Sequence, residues 1–391
     1  MSHETAWSGN DFPFDVPLAE LRRRRSAKWT TFPADVLPLP VAEMDVRLAP
    51  PVAAVLQAAL DDSDTGYPGD PEALIGAFGS FAERRWNWQI QARDVRVCTD
   101  VAVGVIEVLR RVAAPGDAVI ITPPVYPRFY AWLKEVGLRA TEVPLRELAR
   151  GGRLDLEGIA CAFAAGVRVL LLCNPHNPTG RVHEASELRD LAELAARHGA
   201  TVLSDEIHGP LTHHGTTFSP YLPLSEASRG TGFAFTSASK SWNIPGLKCG
   251  LVVAETAHHD RILKRLPHDR AWGVGHLGVL ASTAAFTAGE EWLDAVIAAL
   301  ASNATLLRDE LARSIPQVRM AQPHASYLAW LDCSALDLAT EPAEIFLARG
   351  RVGLARGRHF GPPGSNCVRL NFACSREVLH EAVSRMAQAL S

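Results

Sequence analysis

Several things are scarce in this sequence, and each shortage removes a class of function. No apolar run approaches the roughly 20 residues needed to span a bilayer; uninterrupted ones such as Val169–Cys173 stop after a few positions. The N-terminal stretch MSHETAWSGNDF is polar and acidic, so no signal peptide is expected. Seven cysteines, at 98, 161, 173, 249, 333, 367 and 374, form no CxxC pair and no zinc-like Cys/His spacing. Buried free thiols in a reducing cytoplasm account for them. Net charge is only −4, which gives no global pull toward nucleic acid or an anionic membrane. The one dense charge block, Arg22–Arg25, reads as a solvated helix face or a surface salt-bridge cluster. Internal repeats and low-complexity tracts are absent.

What is present is an ordinary globular composition, 47% hydrophobic and 21% charged over 391 residues. That length suits a large domain plus a smaller one. From about Pro50 to Leu280, short β-branched apolar runs alternate with helical periodicity. Ala118–Ile121, Val167–Leu172, Thr201–Leu203, Phe233–Thr236 and Leu251–Val253 read as buried parallel strands. Glu184–His198 reads as a helix, with leucines at 188, 191 and 194 and Gly199 just past its end. Such alternation predicts crossovers and a largely parallel sheet covered by helices. Beyond about residue 290, helices at Glu291–Arg313, Pro342–Arg349 and Arg376–Leu390 surround strands at Tyr327–Asp332 and Val368–Phe372, which predicts a smaller α+β unit. The expected division is an N-terminal segment 1–45 packed with the small unit, a large domain 46–285 and a small domain 286–391.

Four features fall at or near strand ends, where open α/β sheets bind ligands. Asn174-Pro-His-Asn-Pro-Thr-Gly180 is a turn by its prolines, but two Asn-Pro pairs followed by Thr-Gly are rare by chance. Ser204-Asp-Glu-Ile-His208 suits a helix cap, yet two acids at a strand end are costly unless they bind something. Ser237-Ala-Ser-Lys-Ser241 is a surface loop if read alone; a lysine placed there with a depressed pKa is also a Schiff-base nucleophile. Arg369, alternating with apolar residues in Cys367–Phe372, suits an ion pair or a carboxylate clamp. The pairs His213-His214 and His258-His259 read as surface loops, and Trp86 and Trp88 as core or interface.

Taken together and in order, these landmarks resemble the fold-type I pyridoxal 5′-phosphate (PLP) enzymes of the aminotransferase class I/II superfamily, over nearly the whole chain. The chain looks most like the cystathionine β-lyase (C–S lyase) branch typified by MalY and PatB. Lys28-Trp29, Val41–Asp45, Gly66-Tyr67, Thr122–Tyr126, Ile207-His208, Asn243–Gly246 and Tyr327–Asp332 carry that likeness. Ordinary aminotransferases usually have tyrosine where His208 stands.

The resemblance implies an α/β fold: a large domain with a mostly parallel seven-stranded sheet and a smaller α+β domain. It implies that Lys240 carries PLP covalently, that Asp205 faces the pyridine nitrogen, and that Asn177 meets the phenolic oxygen with His208 close by. Tyr126 would stack on the ring. The backbone of Ala102 and Val103, just before a helix starting near Gly104, would meet the phosphate with Ser237, Ser239 and Lys248. Tyr67 would reach the phosphate of a neighbouring subunit, making a homodimer with shared active sites. Arg369 would bind the substrate α-carboxylate, with Asn177 beside it and Val41 and Ala42 closing over it. No metal is implied.

Of the reactions open to such a site, C–S β-lysis of cystathionine or a larger L-cysteine S-conjugate is the first reading. Transamination, decarboxylation with oxidative deamination, and a partner-binding regulatory role like that of MalY-type proteins are the alternatives. Two departures from the branch stand out. Pro40 replaces a tryptophan, which removes an aromatic wall and favours a larger substrate. Lys248 matches the superfamily's usual phosphate cation where this branch often has an uncharged residue.

Overall fold

The computed structural model describes residues 12–265 and 273–391. Its centre is a seven-stranded sheet of β1 (Val95–Cys98), β2 (Ala118–Ile121), β3 (Arg139–Glu142), β4 (Val169–Cys173), β5 (Thr201–Asp205), β6 (Gly232–Thr236) and β7 (Gly250–Val253). The strand order is β1-β7-β6-β5-β4-β2-β3. Every neighbouring pair is parallel except those made by β7, which runs against both β1 and β6. β4 and β6 are buried at every position, which is why they read as continuous apolar runs rather than alternating ones.

The sheet is the expected mostly parallel one, but β1 and β3 add strands that the apolar pattern did not mark. β1 interrupts its apolar residues with Arg96, and β3 is a solvent-facing edge strand with the sequence Arg-Ala-Thr-Glu. Helices α1 (Pro50–Asp61) and α2 (Glu72–Trp86) pack against α4 (His276–Ala288). Helix α3 (Val101–Val112) lies against β6 and β7. Asp100 caps α3, its Oδ1 accepting the Val103 N–H at 2.9 Å.

The smaller unit holds the long helix α5 (Glu290–Ser314), an antiparallel sheet, and α6 (Arg376–Gln388). The sheet contains β8 (Arg319–Met320), β9 (Leu328–Asp332), β10 (Ala355–Arg356) and β11 (Cys367–Asn371), in the order β10-β11-β9-β8. The N-terminal segment runs along this unit: Leu37–Pro38 pairs in parallel with Val352–Gly353. Further on, the Asn371 N–H donates to Leu39 O and the Asp45 N–H to Ala373 O, each at 2.9 Å. Lys28 and Asp45 form an ion pair at 2.8 Å, both side chains almost wholly buried. Helix α4 crosses the expected division at 285/286, and we propose Gly289, between α4 and α5, as the better boundary.

Two sequence readings change here. His213 and His259 are not on the surface. His213 is buried with Nε2 2.7 Å from Ser326 O, and His259 packs against the Phe233 ring. Arg24, within the basic run, is half-buried and donates to Val46 O at 2.6 Å. Trp88 is core, as expected, with its indole N–H on Glu255.

Candidate active site

The C-terminal ends of β4, β5 and β6 open on a cavity of about 440 Å³. Its lining includes Pro40, Val41, Ala42, Ala102, Tyr126, Asn177, Asp205, His208, Ser239, Lys240, Lys248 and Arg369. Most of the residues singled out in sequence therefore share one wall-to-wall space.

Lys240 lies four residues past β6. Its Nζ donates to Ala42 O at 3.0 Å. Burial, and then the nearby Arg369 charge, pull its amine down to about 8. Asp205 ends β5 and accepts the Ile207 N–H at 3.2 Å. Burial pushes its carboxyl up to about 7, a cost that a cationic partner would relieve. Only a short 3-10 turn, Gly209–Leu211, follows, and His208 rather than Ser204 or Asp205 stands at its start with no side-chain cap, so the cap reading of this stretch fails. Its neighbour Glu206 turns away from the cavity to hold the Tyr221 N–H and the Ser204 hydroxyl.

Arg369 projects from β11 into the same space. Nη1 donates to Asn177 Oδ1 at 3.0 Å and Nη2 to Pro40 O at 2.7 Å. Nε is buried without a partner. Phe360 lies under the guanidinium, 5.0 Å from ring centroid to carbon. Among the described residues no acid pairs with it, and burial lowers it to about 10. A buried cation supported only by neutral oxygens and an aromatic face is a site waiting for an anion.

Tyr126 borders the cavity edge-on to Trp132, with ring centroids 5.9 Å apart. Burial holds its phenol above the ordinary value. His208 Nδ1 is 3.1 Å from Ser326 Oγ, and burial drives the imidazole down to about 3, so it is neutral.

The proposed phosphate end departs from expectation. Helix α3 begins at Val101, three residues before Gly104, so Ala102 and Val103 lie in its first turn. Ala102 faces the cavity, but the Val103 N–H is already taken by Asp100. Val101 replaces Val103 on the lining. Ser237 also turns away: its hydroxyl donates to Cys249 O at 2.6 Å and accepts the Ser239 N–H at 3.0 Å. Ser239 itself lines the space. Lys248 is present but tied to Asp100 Oδ2 at 3.0 Å. Tyr67 is 82% exposed and does not line this cavity.

Sequence reading missed Asp100, Ser326, Phe360 and Asn371 as site residues, and marked Tyr327 as a landmark without a role. Asp100 was findable, as an N-cap residue directly before the apolar run Val101–Val105. Nothing in the sequence marks Phe360 or Ser326, which act through tertiary contact alone. The donor set fits PLP. It offers an amine at Lys240, a carboxyl at Asp205 and an aromatic face at Tyr126. At the other end, the first turn of α3 carries N–H groups with no intrahelical acceptor, beside a lysine.

Fold and site together define a PLP-dependent enzyme. The chain belongs to the aminotransferase class I and II family, whose model matches residues 37–386. It is 45% identical to a Mycobacterium tuberculosis protein provisionally named cystathionine beta-lyase, over 96% of this chain and 97% of that one. It is 36% identical to a cystathionine beta-lyase of Corynebacterium glutamicum, covering 95% and 99%. Among solved structures it superposes on a provisionally assigned PLP-dependent beta-cystathionase from Corynebacterium diphtheriae. That match has a TM-score of 0.92 and 33% identity, over 97% of this chain and 99% of that one.

Proposed function

We propose that this chain is a C–S β-lyase that, consuming one water, converts an L-cysteine S-conjugate to a thiol, pyruvate and ammonia. The observation that carries the reading is the pairing of Lys240 with Arg369 inside one cavity. One is an amine lowered to about 8, and the other is a buried guanidinium with no acid of its own. The choice of lysis over transamination rests on His208 and on the names of the relatives.

PLP, when bound, takes up the electrons of a bond broken at the substrate Cα. Asp205 supports this by holding a proton at the ring nitrogen. Arg369 receives the α-carboxylate, with Asn177 fixing the guanidinium from one side. That contact orients the Cα proton toward Lys240, whose lowered amine is neutral, and able to accept it, in a growing fraction as the pH approaches 8. A thiolate at Cβ then leaves. Neutral His208 stays an uncharged polar neighbour and brings no charge to compete with the cofactor's phenolic oxygen.

Pro40 contributes a carbonyl and a small ring to the cavity mouth, where the branch commonly has an indole. We propose a substrate larger than cystathionine on that ground. The exposed Tyr67 ring supports a second protomer as part of the working enzyme. No described helix is long and apolar enough to cross a membrane. Buried thiols at Cys98, Cys173, Cys249, Cys333, Cys367 and Cys374 support a reducing, cytoplasmic setting.

Steady-state kinetics on cystathionine and on bulky S-substituted cysteines, with thiol and pyruvate assayed together, test both parts. Thiol and pyruvate release with kcat/KM favouring the bulky conjugates is the expected result. A strong preference for cystathionine would refute the size argument. Carbon dioxide release without pyruvate would refute lysis.

A further inference from the structure

Tyr327 stands one residue before β9, the strand beside the one that carries Arg369. It is 1% exposed. Its hydroxyl donates to Ala42 O at 3.0 Å, and Lys240 Nζ donates to the same oxygen, also at 3.0 Å. The carbonyls on either side of Ala42 are fixed as well. Asn371 Nδ2, fully buried on β11, donates to Val41 O at 2.7 Å and to Glu43 O at 2.6 Å. Three successive carbonyls of a segment without regular structure are thus oriented by two side chains of the smaller unit.

A carbonyl oxygen has two lone pairs, so Ala42 O accommodates both donors and no more. That bond is the only hydrogen bond the Lys240 side chain makes among the described residues. A buried amine without an acceptor is costly, so this oxygen determines where Nζ sits. Burial holds the Tyr327 phenol far above its ordinary range. Tyr327 is therefore a fixed donor and not a proton acceptor.

We infer that Ala42 O, aimed by the Tyr327 hydroxyl, is the seat of the Lys240 amine whenever that amine is not covalently engaged, and that Tyr327 is a positioning residue for proton transfer at the substrate Cα. The proton-transfer half rests on the lyase reading; the seat itself does not. During turnover Lys240 is free at the moment it must take the Cα proton. An amine held on one fixed carbonyl meets that proton from one direction. A mobile amine spends most of its time elsewhere.

The test is Tyr327→Phe, which keeps the buried ring and removes only the donor. In the full-length chain stripped of cofactor, the pH dependence of Lys240 modification by trinitrobenzenesulfonate is followed by peptide mass spectrometry. The parent midpoint is expected at about 8. Without the phenol, Ala42 O becomes a stronger acceptor for the ammonium and the segment admits more water. Both effects raise the midpoint, by roughly half a pH unit or more. In the holoenzyme, kcat for thiol release is expected to fall about 10-fold with KM nearly unchanged. Equal midpoints in parent and variant would overturn the seat. An unchanged kcat, or a loss confined to KM, would overturn the positioning role. If the parent released no thiol from any S-conjugate, the lyase reading would fall, and the modification midpoints would still decide the seat.

Discussion

One wall of the cavity is made of side chains leaving the C-terminal ends of β4, β5 and β6; the opposite wall is made by residues 40–42 of a strap without regular structure, which presents backbone carbonyls. On the first wall Asn177, Asp205 and Lys240 inherit their positions from a sheet buried on both faces. On the second, Pro40 and Ala42 supply acceptors to Arg369 and Lys240, and just past the lining Glu43 O accepts from Lys28. The chemistry-bearing groups are thus presented by a rigid layer, and their charges are steadied by a strap held through hydrogen bonds, the Lys28–Asp45 ion pair and the buried Met44. A ligand that brings its own carboxylate competes directly with that second wall. The Arg369 bond to Pro40 O is one it would replace.

This contrast can be broken from either side. The largest effect is expected on the sheet wall. Lys240→Ala should lower thiol release by about 10⁴-fold or more, since it would remove the proposed proton acceptor as well as the proposed covalent anchor. Borohydride reduction of the parent holoenzyme, followed by peptide mapping, should place the cofactor on Lys240 and on no other lysine.

The carbonyl wall should fail first in stability. Lys28→Met leaves Asp45 buried and unpaired, and burial already raises that carboxyl with Lys28 present. A loss of about 3–5 kcal/mol is expected in chemical denaturation. Replacing both partners with apolar residues of similar volume should recover most of it. If Lys28→Met unfolds no more easily than the parent, the strap is not anchored there.

Arg369 bridges the two walls, and its replacement should affect binding before chemistry. Arg369→Lys keeps the charge but loses the planar fork, so KM should rise by about 10–100-fold with a smaller change in kcat. A selective loss of kcat would instead mean that Arg369 does not hold the carboxylate.

The smallest effect is a pH slope. The folded chain holds the carboxyls of Asp205 and Glu206 up at about 7 and about 8, from ordinary values of 3.8 and 4.5. Between the unfolded and folded values the native state binds more protons, so stability falls as pH rises. These two carboxyls therefore contribute a decline in melting temperature of the cofactor-free chain from about pH 4 to pH 8, opposed up to about pH 6.5 by His176, His208 and His259, whose imidazoles burial holds down at about 3, about 3 and about 4. Asp205→Asn should remove the part of the decline that ends near pH 7, and leave the part due to Glu206. Profiles of the same shape in parent and Asp205→Asn would show that the Asp205 carboxyl is not held protonated.

The two walls also differed in how far they could be read from sequence. β4, β5 and β6 were visible because strands buried on both faces need apolar residues throughout, and the loops that follow them begin where that run ends. The stretches that hold the lysine, the aspartate and the asparagine were found from those boundaries and from their order, and the resemblance then picked out Asp205 and Asn177 within them. The strap was found only through resemblance, because its work is done by carbonyls, which every residue possesses. Tyr327 was noted as a landmark, but its hydroxyl role depends on a contact 285 positions away in sequence. The phosphate end was misjudged for a local reason. Placing the start of α3 at Gly104 overlooked Asp100 as its cap, and that cap consumes the N–H of Val103 and the charge of Lys248.

The central claim is tested most directly by sustained turnover without an amino acceptor. Holoenzyme is mixed with an S-alkyl-L-cysteine and no keto acid, and thiol, pyruvate and the cofactor's visible spectrum are followed together. A C–S lyase returns its cofactor unchanged after each cycle, so thiol and pyruvate should accumulate in equal amounts far beyond one per site. A reaction that stops after one equivalent, with the cofactor left in its amino form and no thiol released, would contradict the account and make the chain an aminotransferase.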